Sequence, residues 1–413
     1  MIYFGEGGRI MKLGKTGNSK FLKAFNETSL LELIRINKQI SKADLAQLTG
    51  LSPTACGIIV SNLLEKGYIL EAGIGISKGG RRPNLYELNP KSYYSIGVDI
   101  DIDYIRFVLM DITGNVEYRD KISSGFEQSV PESINLIQQK VQEIIEKNNI
   151  SEDRLLGVGV SVPGMVDNIT HEIIFAPNLG WERVDLEHMM SSMGSFPIYV
   201  DNEAMCSALC ENWIGCCTEQ KDFICINMKS GIGSSIFAGG NLYRGCSGSA
   251  GEIGHIMVDH NGPKCACGNY GCLETLVSSR SMVEKAQRLV RQGLISDFSE
   301  ALDINSINSI DDIISSVKAG NEAARVILVE AAGYLGLAIA NLINTINPSR
   351  IVLGKELVKF SEDILEHMRN IALAKALRYP ASRVEILISE LGEDTSALGA
   401  AIIPLKKLFG YRL

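Results

Sequence analysis

Six residues that can bind a metal or accept hydrogen bonds fall within one short stretch of this chain: Glu252, His255, Cys265, Cys267, Cys272 and Glu274. One imidazole and three thiols, two of them separated by a single residue and the third five positions on, supply the four ligands of a closed tetrahedral zinc site. Gly262, Pro263, Gly268 and Gly271 provide the tight turns that let so short a segment wrap around an ion. A buried thiol cluster beside a structural histidine is the competing account, but it leaves the glycine-punctuated spacing without purpose. Four protein ligands leave no position open for a reactive water, so zinc is expected here as a structural ion. Glu252 and Glu274 are surplus to such a site and point to a second task for the same segment.

The chain around this cluster has 413 residues, enough for two or three domains. Its 46% hydrophobic and 21% charged residues are those of a globular protein. No stretch reaches the roughly 18 uninterrupted apolar residues of a membrane span. The nearest, residues 326–340, is broken by Glu330 and by glycines and reads as a buried helix. Glu6, Arg9, Lys12 and Lys15 leave no apolar run for a secretory signal. The other cysteines (Cys56, Cys206, Cys210, Cys216, Cys217, Cys225 and Cys246) stand singly or adjacent in apolar segments, without the spacing of a disulfide framework. That usage fits a reducing cytoplasm. Charge is unevenly shared: residues 1–90 carry 12 basic against 7 acidic side chains, and the remainder 28 against 41. A basic N-terminal module on an acidic body suggests that the module alone meets a polyanion.

Within that module, residues 29–38 place Leu30, Leu33, Ile34 and Asn37 at helical spacing. Ser41 then caps a second helix, with Asp44 as its capping-box partner and Leu45, Ala46 and Leu48 facing inward. Thr49-Gly50-Leu51 is a sharp turn, after which Ser52 and Pro53 supply the N-cap and first residue of a third helix. Ile58, Ile59, Leu63 and Leu64 are expected to turn this helix toward the core. Helix, glycine turn, helix is a helix-turn-helix, which lays its second helix in the DNA major groove. Ser52, Thr54, Ser61 and Asn62 are then the base- and backbone-facing candidates. Two short strands, residues 68–70 and 85–88, flank a glycine-rich loop whose tip carries Lys78, Arg81 and Arg82. Such a basic wing suits the negative potential of a narrow minor groove. The same winged fold can instead serve protein contacts.

Beyond Pro90, strands alternate with helices. Residues 94–100, 105–110 and 155–162 read as apolar strands, residues 111–115 as a hairpin turn and residues 131–148 as a helix. A second strand-hairpin opening follows at residues 223–227 and 231–237, suggesting a duplicated α/β architecture with a ligand-holding cleft. Further segments stand out in order: Val162-Pro163-Gly164-Met165-Val166-Asp167, Ala176-Pro177-Asn178-Leu179-Gly180-Trp181, Val200-Asp201-Asn202-Glu203-Ala204, the zinc segment, and residues 348–354.

With the helix-turn-helix and the wing, these segments resemble the ROK family (repressors, open reading frames and sugar kinases), and within it the xylose-repressor-type transcriptional regulators. The resemblance runs from about residue 17 to residue 408. It implies an α/β fold in which an N-terminal winged helix-turn-helix precedes a two-lobed, actin-like, sugar-kinase-like body, with sugar held between the lobes. The domains are then 1–90 for DNA binding, 91–210 for the first lobe, to which a C-terminal helix returns, and 211–413 for the second lobe with its zinc site. Carried over by motif, Asn178 and Asn202 hydrogen-bond sugar hydroxyls, Glu203 contacts the sugar from the position where the kinases keep their catalytic acid, and Glu252 and Glu274 are sugar-facing carboxylates. His255 both binds zinc and faces the ligand. The chemistry is sound, since hydroxyl donors are well matched by carboxylate and amide oxygens. Trp181 is suited either to the apolar face of a sugar or to the core.

The departures from the kinases bear on activity. Where those have an acidic residue followed by Gly-Gly-Thr, this chain reads Asp99-Ile100-Asp101-Ile102-Asp103-Tyr104, whose carboxylates and bulk oppose a triphosphate. Glu203 replaces the aspartate base, and Met205 stands where a second asparagine is usual. Ser230-Gly231-Ile232-Gly233-Ser234 keeps part of a phosphate loop, though two glycines also suit a tight turn, and Lys355 interrupts a usual Gly-Gly. The expectation is a cytoplasmic, non-enzymatic transcriptional regulator of carbohydrate use, acting as a repressor on double-stranded operator DNA. It is expected to be a homodimer or dimer of dimers without a membrane partner. A sugar effector would shift the lobes and so the spacing of the two DNA-binding modules. A regulator with residual sugar kinase activity and a protein-interaction scaffold are the alternatives.

Overall fold

The computed structural model describes residues 19–76, 82–123, 129–167, 169–292 and 307–410. By contacts the chain divides into two compact units, one of Met1–Val162, Asn178–Asp201 and Ala400–Leu413, the other of Pro163–Pro177 and Asn202–Gly399.

The first unit opens with helices α1 (Ser19–Asn37), α2 (Lys42–Thr49) and α3 (Pro53–Glu65). The caps are those expected: Ser41 accepts from the Asp44 amide at 3.2 Å, and Ser52 from the Ala55 amide at 3.2 Å with Pro53 following. Gly50 closes α2 at φ 69°, a left-handed conformation that costs glycine little. Strands β1 (Ile40–Ser41), β2 (Ile69–Ile74) and β3 (Asn84–Leu88) form a small sheet in the order β1-β3-β2. Leu30, Leu31, Ile34, Leu45, Ile59 and Leu63 are among the residues that make the core.

Two assignments from periodicity are corrected. Leu48 is 39% exposed and Ile58 is 57% exposed. The buried face of α3 is Cys56, Ile59, Val60 and Leu63, a run at i, i+3, i+4 and i+7. Ile58 lies about 100° from Ile59 around the helix and so turns outward.

A five-stranded mixed sheet follows, made of β4 (Tyr94–Ile100), β5 (Tyr104–Asp111), β6 (Val116–Ser123), β7 (Leu155–Val162) and the strand Ile198–Asn202. In spatial order it runs Ile198–Asn202, β7, β4, β5, β6. β4 and β7 are parallel and buried almost throughout, so they read as continuous apolar runs, whereas edge strand β6 alternates half-buried and exposed residues. Helix α4 (Val130–Lys147) crosses between β6 and β7 and buries Ile134, Ile137, Val141 and Ile144 at helical spacing. Trp181 is 3% exposed and belongs to the core.

The C-terminal end of the chain packs on α1. The Arg35 guanidinium, held by Glu32 through bonds of 2.7 and 2.8 Å, lies 5.8 Å from the centre of the Phe409 ring. Beside them Lys406 is 4% exposed. Burial first, and then Arg35, pushes its ammonium down from 10.5 to about 7, with Glu32 opposing. Between those two values the unfolded chain binds more protons than the folded one, so this residue makes stability rise with pH from about 7 upward. Lys406→Met is expected to remove that dependence and to stabilise the protein by about 1–3 kcal/mol near neutral pH. Thermal unfolding of both proteins at pH 6.5 and 9 checks this, a lower midpoint for the variant at pH 6.5 being the contrary result.

The second unit repeats the first sheet's plan. Strand Phe223–Met228 is central, with Ile232–Ala238 and Asn241–Tyr243 following antiparallel on one side, and Arg350–Lys355 and Glu385–Ile388 parallel on the other. The helix Glu322–Ile346, the one foreseen from residues 326–340, is long and apolar, and it buries Ile327, Leu328, Leu335 and Ile339 in the core of this unit. The helix Glu203–Trp213 starts at Asn202, whose side-chain oxygen accepts from the Ala204 amide at 2.8 Å.

Candidate functional site

The ligand atoms of His255, Cys265, Cys267 and Cys272 all lie within 4.8 Å of one another in the second unit. The Cys265 sulfur stands 3.7 Å from His255 Nδ1, and the Cys267 and Cys272 sulfurs stand 3.7 Å apart. Sulfurs about 2.3 Å from a zinc ion at tetrahedral angles would be about 3.8 Å apart. The four residues therefore fit a tetrahedral metal, and they are the set read from the sequence. Two isolated bridges, Met257 with Cys272 and Lys264 with Tyr270, fold the segment back on itself. Gly271 makes this possible: at φ 62° its absent Cβ would lie 1.5 Å from the Asp259 carbonyl oxygen.

This fold aims the histidine. With Nδ1 turned to the cysteines, a metal bound there would leave Nε2 to carry the ring proton as a donor. Glu252 and His255 bracket one short helical turn (Ile253–His255), the His255 amide donating to the Glu252 carbonyl at 3.2 Å. Glu252 is exposed to solvent, with protein packed around its carboxyl. That surrounding pushes its carboxyl above the usual range, with Glu274 adding to the shift and His255 opposing it.

Glu274 opens the turn Glu274–Val277, and its Oε2 accepts from the Ile232 amide at 3.3 Å. A Cβ on Gly231 would come within 2.5 Å of that oxygen. The glycine read as part of a phosphate loop is thus needed here to admit a carboxylate.

The same loop carries Lys229, which the sequence motifs do not single out. Its ammonium lies 2.9 Å from Glu203 Oε1, and the Lys355 ammonium lies 3.4 Å from the same oxygen. Burial opposes ionisation of Glu203, but the two lysines outweigh it and hold the carboxyl at about 2. Lys355 sits at φ 60°, in the left-handed region that favours glycine. Asn202, next in the chain, donates to the Gly164 carbonyl at 2.7 Å while capping its helix. Asn178 is exposed in the turn Pro177–Leu179 and belongs to the other unit.

In the winged module, Thr54, Ile58 and Ser61 share one exposed face of α3, at i, i+4 and i+7, with Ser52 exposed at its start and Asn62 half-buried beside them. Ile58 is the member of this face that its apolar character hid among core residues. Arg82 is exposed at the base of the wing. Lys78 and Arg81 lie outside the described residues.

The ROK family profile matches residues 95–407, and a winged helix-turn-helix DNA-binding profile matches residues 26–69. The xylose repressor of Caldicellulosiruptor bescii is 30% identical over 395 residues, which cover 96% of this chain and 99% of that protein. A solved ROK family transcriptional regulator, a homologue of the Escherichia coli MLC protein, superposes with a TM-score of 0.82 at 24% identity, covering 94% of this chain and 96% of the other. A ROK family glucokinase from Streptomyces griseus, solved with glucose and AMPPNP, has a TM-score of 0.65 at 26% identity and covers 75% of this chain and 98% of its own. The metal-ligand segment, the paired mixed sheets and the capped recognition helix thus meet in one chain, which belongs to the ROK family as a DNA-binding transcriptional regulator with a winged helix-turn-helix.

Proposed function

We propose that this regulator is a sugar-responsive repressor of carbohydrate-utilisation genes, cytoplasmic and dimeric on its operator, without kinase activity. Sugar hydroxyls would donate to Glu252 and Glu274 and accept from His255 Nε2, with Asn202 of the same unit as a further contact. A structural zinc held by His255, Cys265, Cys267 and Cys272 would fix the segment that presents these groups. A pentose or glucose is the first effector to test, because the full-length relative is a xylose repressor and the similar kinase structure holds glucose.

The observation that carries this reading is the state of Glu203. A general base must be able to take up a proton near working pH, and a carboxylate held at about 2 by two lysines does so poorly. Arg106 faces Asp99 across the β4–β5 ladder, and Ser161 donates to Asp99 at 2.7 Å, so the first carboxylate of the altered phosphate loop is engaged inside the protein. On DNA, Thr54, Ser61 and Asn62 would contact base edges and backbone, and Ile58 would meet a thymine methyl group. Footprinting on a palindromic operator against a panel of sugars tests the proposal together with an ATP-coupled assay on the same sugars. The expected outcome is a roughly 5- to 150-fold change in operator affinity with one sugar and no turnover. Indifference of operator binding to every sugar, or steady ATP consumption, is the outcome that removes it.

A further inference from the structure

The loop after the helix Glu203–Trp213 brings together thiols that have no spacing pattern in the sequence. Cys216 and Cys217 are adjacent, and their sulfurs lie 4.0 Å apart. Cys217 is fully buried, whereas Cys216 is half-buried. Glu211, itself 2% exposed, reaches under the loop: its Oε2 accepts from the Cys216 amide at 3.1 Å and faces the Cys216 sulfur at 3.4 Å. Gly215 permits this approach, since a Cβ there would lie 2.1 Å from that oxygen. Arg350 donates to the Cys216 carbonyl from the other side and is paired to Glu385. The loop is therefore pinned from below and from the side, with Cys216 half-buried and Cys217 fully buried beside it.

These two positions have different chemistry. The Cys217 hydrogen bond and the Arg350 charge hold the Cys216 thiol below its ordinary value, against burial and Glu211. The Cys217 thiol is raised by its hydrogen bond to Cys216 and then by burial. A half-buried thiol held below its ordinary value, with a fully buried one 4.0 Å behind it, is the arrangement of an attacking and a resolving cysteine.

We propose that Cys216 and Cys217 are a reversible oxidation site for hydrogen peroxide, Cys216 attacking and Cys217 resolving. The Cys216 thiolate would attack one peroxide oxygen, forming an S–O bond as the O–O bond breaks, and hydroxide would leave and take up a proton. The Cys217 sulfur then attacks the Cys216 sulfenic acid and gives up its proton. The S–S bond forms, the S–O bond breaks and water leaves. Two thiols and one peroxide give one disulfide and two waters. Adjacent Cα atoms are about 3.8 Å apart, below the usual range for a disulfide, so the bond is strained and a thiol reductant reverses it readily.

The test uses the full-length protein exposed to a small excess of hydrogen peroxide, blocked with an alkylating agent and cleaved after glutamate. The peptide of residues 212–219 then holds only these two cysteines. It is expected to lose 2 Da, to escape alkylation and to recover both thiols on reduction. In Cys217→Ser, dimedone is expected to trap roughly tenfold more sulfenic acid on Cys216 than in the unaltered protein. A peptide with both cysteines alkylated after peroxide, or a disulfide joining either to Cys210 or Cys225, overturns the proposal. The peptide from the unaltered chain distinguishes these outcomes by itself, so the test holds even if the serine variant folds poorly.

Discussion

On the proposed zinc and sugar sites, replacing Cys272 by serine is expected to release the metal and abolish sugar binding while the second sheet stays folded. Cys272 is fully buried and is one of the four clustered ligand residues, so the substitution leaves three soft or imidazole ligands and one poor one. Structural zinc contributes on the order of 10 kcal/mol to small domains that fold around it. Losing one thiolate forfeits enough of this to lower zinc affinity by several orders of magnitude. Apart from the ligand residues, the segment from Glu252 to Glu274 is held by two isolated bridges and by short-range backbone bonds, with no helix or strand longer than three residues between Ile256 and Cys272. Its ends are anchored separately, through Ile253 and Leu273 in the core of the second unit. Local disorder should therefore come first. Chelation of the unaltered protein should do the same: loss of the sugar-induced thermal shift at chelator concentrations that leave the far-ultraviolet circular dichroism unchanged. Sugar binding that survives removal of the metal, or unfolding that coincides with it, would count against a local brace.

Glu274→Gln is expected to weaken sugar binding by roughly 10²-fold, the loss of about two charge-assisted hydrogen bonds. The amide keeps the length of the side chain and an oxygen for the Ile232 amide, so the fold around Gly231 should be retained. Operator binding without sugar should stay within a few-fold of the unaltered protein, because the residue lies far in sequence from the winged module. The two readouts separate a ligand contact from a folding residue. A variant that binds sugar normally, or that loses operator binding as well, would contradict the assignment. Glu252→Gln should behave alike, with the difference that Glu252 is already pushed toward protonation by its surroundings.

What was legible in the sequence was what is decided over a few residues. The caps at Ser41 and Ser52 involve amides three positions on. β4 and β7 have the limits read from their apolar runs, since a strand buried on both faces leaves an unbroken pattern. The metal cluster was legible because its four ligands lie within one folded-back segment. Ile58 shows the limit of periodicity: with apolar residues at 58, 59 and 60, the pattern alone does not say which one faces out. The packing of α3 against α1 does.

The sequence by itself therefore determined the family, the winged module, the alternating strands and helices, and the histidine-cysteine cluster, all of them products of local geometry or of motifs in fixed order. Only the tertiary structure decided the state of the groups. Glu203 has its charge fixed by Lys229 and by Lys355, which is about 150 positions away in the chain. Lys406 loses its ordinary basicity in a setting built by α1, and Cys216 acquires its setting from Glu211 and Arg350. Ionisation depends on burial and on charges within a few ångströms, and the fold brings those neighbours together whatever their separation along the chain.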